Sequence, residues 1–102
     1  MTINLTVIQQ SAQRLFPDQT LDQVLAKLLL EHAQKNLIKY SVHARTLTEK
    51  YNQSFESFRQ SIMQSEPPFD VEQDYFAWEL AITGVIDMED EIKRLSSLVQ
   101  AQ

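Results

Sequence analysis

The hydrophobic pattern changes period once, near the start of the chain. Over residues 2–7, apolar Ile3, Leu5 and Val7 alternate with polar Thr2, Asn4 and Thr6. That two-residue period is the signature of a half-buried strand. From Ile8 onward the spacing is helical. Ile8, Ala12, Leu15 and Phe16 share one face of a first helix, which Pro17-Asp18-Gln19 interrupts. Thr20 followed by Gln23 reads as a capping box, so a second helix opens at Leu21. Its apolar positions Leu21, Val24, Leu25, Leu28 and Leu29 form a stripe that Leu30 widens beyond one face.

A seven-residue spacing then takes over. Leu30, Leu37, Ala44 and Tyr51 form one row, and Ala33, Tyr40 and Leu47 form another. No Gly or Pro lies between Leu21 and Tyr51, so one long helix is predicted, with a break near Asn36 as the alternative. Ser54 reads as the N-cap of a short helix carrying Phe55, Phe58 and Ile62, ended by Pro67 and Pro68. Asp70, with Gln73 three residues on, is the expected cap of the last helix. There Trp78, Val85, Ile92 and Val99 repeat every seven residues, with Ala81, Met88 and Leu95 as the second row. Two heptad-patterned helices joined through a short one predict an antiparallel hairpin. Glu89–Lys93 and Asp90–Arg94 have the order and spacing of favourable ion pairs on its outer face.

A lone strand has backbone donors and acceptors without a ladder. The partner expected for it is the same strand of a second copy. The expected fold is therefore mainly α, with one N-terminal β-strand pairing in a homodimer. Residues 1–36 would form a dimerisation and DNA-binding region, and residues 37–102 an acidic, partner-binding helical hairpin. A two-stranded ribbon fits the major groove of DNA, where Thr2, Asn4 and Thr6 would face base edges.

Composition removes several alternatives. With 102 residues the chain is expected to be one domain, or one small domain with an appendage, and its absence of cysteine excludes disulfide frameworks and thiolate metal sites. A single glycine argues against phosphate-cradling loops. No apolar run approaches the roughly 18 residues of a membrane span, and the N-terminus lacks the pattern of a secretory signal, so a cytoplasmic location is expected. The net charge of −5 hides a division. Residues 1–50 hold six Lys/Arg against four acids, whereas residues 51–102 hold three against ten. Between Arg59 and Lys93 there are nine acids and no basic residue. Such asymmetry points to two partners, one anionic and one cationic, with solvated helices that are simply acidic as the alternative.

The order strand, short helix, turn, longer helix over residues 2–36 resembles the ribbon-helix-helix DNA-binding fold. That resemblance implies Thr2, Asn4 and Thr6 as base-reading positions and the Thr20 cap region as a phosphate contact. The ribbon carries no Lys or Arg, which predicts weak phosphate neutralisation. Further on, Leu47-Thr-Glu-Lys-Tyr51, Ser54-Phe-Glu-Ser-Phe58 and Asp74-Tyr-Phe-Ala-Trp78-Glu79 resemble small helical antitoxin-like proteins of the type II toxin–antitoxin class, over roughly residues 1–98. This implies a repressor-like N-terminus bound to operator DNA and an acidic C-terminal part occupying a basic toxin-like protein. Phe69, Glu72, Asp74, Tyr75, Phe76, Trp78 and Glu79 are the candidate partner-binding residues. Trp78, being in heptad phase, has a second reading as core.

No enzyme chemistry is indicated. His32 and His43 stand on one helix face but on the order of 16 Å apart at 1.5 Å per residue, too far to share a metal. Asp87, Asp90 and Glu91 approach one another without the loop of a calcium site. No nucleophile, base and orienting acid can be grouped, and no cofactor is implied. Two functions remain: an antitoxin-like dimeric regulator that binds operator DNA and a basic protein, and a dimeric helical adaptor that does not bind DNA.

Overall fold

A computed structural model describes residues 4–100 and contains four helices: α1 (Leu5–Leu15), α2 (Leu21–Tyr51), α3 (Phe55–Met63) and α4 (Phe69–Gln100). Among the described residues there is no strand, so the expected N-terminal ribbon is overturned. Thr2 and Ile3 lie outside the described residues, while Leu5, Thr6 and Val7 form the first turn of α1. Asn4 is the N-cap, and its side chain accepts from the Val7 N–H at 3.2 Å. Asn is among the best residues at this position, because its short oxygen satisfies an orphan amide of the first turn. The Ile8 N–H then donates to the Asn4 carbonyl at 3.2 Å. Backbone groups that a solitary strand would leave unmet are satisfied locally by the helix. Leu5, Ile8, Ala12 and Leu15 form one helical row, of which the short alternation over residues 2–7 is only a fragment.

The longer helices follow the heptads. Thr20 caps α2 through both halves of the capping box: the Gln23 N–H donates to Thr20 Oγ1 at 3.2 Å, and the Thr20 N–H to Gln23 Oε1 at 2.8 Å. α2 runs unbroken through Asn36 and ends at Asn52, whose φ of 52° reverses the chain. Asn tolerates this left-handed conformation better than other residues with a side chain. Ser54 caps α3, accepting from the Ser57 N–H at 3.1 Å. The expected Asp70 cap is replaced by a start at Phe69, directly after Pro68, whose carbonyl accepts from the Glu72 N–H at 3.0 Å. Pro67 and Pro68 hold the preceding backbone out of the helix, so Asp70 falls within the first turn, where its charge favours the helix dipole.

α2 and α4 pack along their length as an antiparallel hairpin. Lys50 near the end of α2 meets Asp74 near the start of α4, while Leu25 and Leu98 line one groove at the opposite end. α3 packs on α4 at the closed end, and α1 packs more lightly on α2. The molecule measures 58 × 31 × 17 Å. The core is densest at the closed end, where Leu47, Phe58 and Trp78 are buried beneath Ala44, Tyr51, Phe55, Ile62 and Tyr75. Further along, Val24, Ala26, Ala33 and Ala81 are buried. Gly84 faces Tyr40 so closely that a Cβ built on it would lie 2.6 Å from two ring carbons.

Candidate interaction surface

The expected partner-binding residues separate into two sets once the helices are placed. Trp78 is 1% exposed and belongs to the core. Its ring lies 5.2 Å from Phe58 and 5.4 Å from Phe55, and it stacks on Tyr51 at 6.2 Å. Tyr75 is half-buried, stacked on Phe55 at 5.5 Å. Trp78 and Tyr75 therefore hold α3 against the hairpin. Aromatic pairs in these offset and edge geometries contribute roughly 0.5–1.5 kcal/mol each beyond their burial.

Asp74 is also engaged within the chain. Its Oδ2 accepts from Lys50 Nζ at 2.6 Å and from the Tyr51 hydroxyl at 2.5 Å, tying the end of α2 to the start of α4. The Lys50 hydrogen bond, and then that of Tyr51, hold the Asp74 carboxyl below the usual carboxylate range against the opposing effect of burial. The same bond raises Lys50, whereas Tyr51 is raised first by burial and then by its bond to Asp74. With its charge compensated, Asp74 is not part of an open acidic rim. Lys50 also sits 5.5 Å above the Tyr51 ring centroid.

The remaining residues look outward. Phe69 is 75% exposed and Phe76 56% exposed, and they stand seven residues apart on the same face of α4. Leu80, 66% exposed, extends that face by one turn, and the sequence reading missed it because it is out of heptad phase. Glu72 and Glu79 are exposed alongside. At 100° per residue, Phe69, Phe76 and Leu80 fall within a narrow sector, with Glu72 and Glu79 along one border. The result is an apolar strip edged by negative charge. Farther along α4, Asp87, Glu89 and Asp90 are exposed and Glu91 is half-exposed. The expected Glu89–Lys93 and Asp90–Arg94 pairs do not form; Arg94 instead pairs with Glu91 at 2.6 Å. An exposed pair of either spacing is worth a few tenths of a kcal/mol, roughly, so small rotamer preferences decide between them.

The expected DNA-contacting residues have local roles. Thr2 lies outside the described residues, and Asn4 and Thr20 are the caps of α1 and α2. Thr6 is exposed in the first turn of α1, on a helix and not in a ribbon row. Among the described residues, no three His, Asp or Glu side chains gather as a metal site would require. No helix there is long and apolar enough to cross a membrane.

Comparison with protein-family models, with curated proteins and with solved structures gives no match for this chain.

Proposed function

We propose that the protein is a helical-hairpin interaction protein whose α4 outer face receives a basic partner protein. The observation that carries this reading is the exposed strip Phe69, Phe76 and Leu80, bordered by Glu72 and Glu79, in a segment with no Lys or Arg between residues 59 and 93. Large apolar side chains at the centre of such a surface supply affinity, and the charged border steers encounter and selects partners. The resemblance to antitoxin-like proteins suggests a small basic toxin-like protein as that partner. Operator binding by an N-terminal ribbon does not form part of the proposal, because Leu5–Leu15 is a helix.

The test uses a synthetic cationic peptide with leucines at helical spacing and lysines on its other face, titrated by anisotropy at low and high salt. The expected result is binding that weakens with salt, weakens further in Phe69→Ala/Phe76→Ala, and loses part of its salt dependence in Glu72→Gln/Glu79→Gln. If the alanine variant binds the peptide as tightly as the wild type, this face is not the docking surface. A second test is independent of the peptide: a small basic protein encoded beside this one is co-expressed, and the same two variants are expected to reduce its co-purification.

A further inference from the structure

A second apolar surface lies at the open end of the hairpin. Leu25 and Leu29 of α2 and Leu95 and Leu98 of α4 line a groove with Asp22 and Ala26. It continues along the hairpin between His32 and Asn36 on one side and Met88 and Glu91 on the other. Leu25, Leu29 and Leu98 are 43%, 57% and 57% exposed, so the groove is floored and rimmed by unburied leucine. No residue of α1 or α3 lines it, and α3 packs at the closed end.

The exposed area of the chain leaves room for a second copy there. A compact monomer of 11.9 kDa exposes roughly 5,900 Å². This chain exposes 7879 Å², about 2,000 Å² more. Its radius of gyration of 19.6 Å likewise exceeds the roughly 13 Å expected of a compact domain of this length. At the groove the lining comes from α2 and α4 alone, whereas helices normally bury an apolar stripe against a second layer. A standard protein interface removes about 800 Å² from each partner, well within that excess.

Charge selects the arrangement. α2 carries five basic and three acidic residues, and α4 carries two basic and eight acidic. A layer in which α2 lies over α4 and α4 over α2 therefore pairs opposite charge on both sides. A two-fold axis running along the hairpin does this, and it also brings the two open ends to the same level. Leucine then meets leucine, and Lys39 of one copy, continuing the row Leu25, Leu29, His32 and Asn36, stands opposite Asp87 and Glu91 of the other. Two hairpins so related make an antiparallel four-helix bundle.

We infer that the open-end groove lined by Leu25, Leu29, Leu95 and Leu98 is the interface of a homodimer, formed by a second copy of this chain about a two-fold axis parallel to α2 and α4. It is independent of the basic-partner reading, which concerns Phe69, Phe76 and Leu80 at the other end of α4.

The full-length chain is measured by sedimentation velocity, with circular dichroism as the control for folding. Wild type is expected at twice the monomer mass. Leu25→Glu/Leu29→Glu places four charges in the interface and weakens dimerisation at least a hundredfold, leaving a helical monomer. Ile38→Glu, on the far side of α2, keeps the dimer. Because the leucine variant can lose stability, the charge reversal Lys39→Glu supplies a second reading: it weakens the dimer, and Lys39→Glu with Asp87→Lys restores it. A wild-type monomer, a leucine variant that remains fully dimeric, or a control that dissociates as readily would each overturn the inference.

Discussion

Gly84→Ala is expected to destabilise the protein, although helix propensity alone predicts the opposite. Gly84 sits in the middle of a 32-residue helix, where replacement by Ala would ordinarily gain about 0.5–1 kcal/mol. Here the added methyl would lie 2.6 Å from Tyr40 Cγ and Cδ2 and 2.8 Å from Cδ1. Carbon atoms rest about 3.5–4.0 Å apart, so the overlap is close to 1 Å against the face of a ring, and not against a flexible chain end. Relieving it requires α2 and α4 to move apart, and overpacking of this kind costs roughly 1–3 kcal/mol. The steric cost exceeds the propensity gain, leaving a net loss of about 1 kcal/mol and a fall in Tm of about 4–8 °C. Thermal melts by circular dichroism measure this directly. In a Tyr40→Ala background the obstacle is gone, and the same Gly84→Ala change should raise Tm. The reasoning is refuted if Gly84→Ala raises Tm in the wild type, or lowers it equally with and without the Tyr40 ring.

Two further outcomes follow from the polar contacts. The depressed Asp74 carboxyl contributes stability that is present above the unfolded value near pH 4 and lost as pH falls through its lower folded value; the raised Lys50 and Tyr51 contribute below about pH 10 and lose that contribution as pH rises. Tm should thus be level across neutral pH and decline at both extremes, and Asp74→Asn should lower it at pH 7 and make the acid decline shallower; an unchanged acid limb would exclude the Lys50–Asp74–Tyr51 cluster as its source. Thr20→Ala removes half of a capping box and should cost about 1 kcal/mol in urea unfolding, whereas a midpoint indistinguishable from wild type would show that α2 does not depend on its cap.

The long helices were legible because their signals extend over many residues. Seven-residue rows across Leu30–Tyr51 and Trp78–Val99, the Thr20–Gln23 box and the Ser54 cap each agree with the structure, since local chemistry and packing favour the same conformation there. The N-terminal alternation does not decide the conformation, because six residues cannot separate a two-residue period from a helical one. Asn4 was the decisive residue: read as a base contact, it is an N-cap, and Leu5 falls in row with Ile8, Ala12 and Leu15. The candidate surface was legible only in part. Sequence could mark residues 69–79 as acidic and aromatic, but not that Trp78 and Tyr75 turn inward or that Asp74 is held by Lys50 and Tyr51, contacts that reach 20–27 positions along the chain. The lone glycine was a usable sign of close helix approach, because a Gly inside a heptad pattern is otherwise unfavourable.

The concentration of aromatic rings at one end of the hairpin sets the order in which the chain assembles. Tyr51 and Trp78 are 27 positions apart, joined by a segment that already contains α3, whereas Leu25 and Leu98, lining the far groove, are separated by 73. Closing the longer loop first would cost roughly 0.9 kcal/mol more in chain entropy, and it would gain only half-exposed leucines. Ordering therefore begins around Tyr51, Phe58 and Trp78 and proceeds away from the turn, each added heptad shortening the loop that the next must close. In a single copy the last turns to join are the first to open. Amide exchange should accordingly be slowest in Leu47–Tyr51 and Tyr75–Ala81 and accelerate toward Leu21 and Val99, giving the hairpin a kinetic polarity that its nearly uniform helical content conceals.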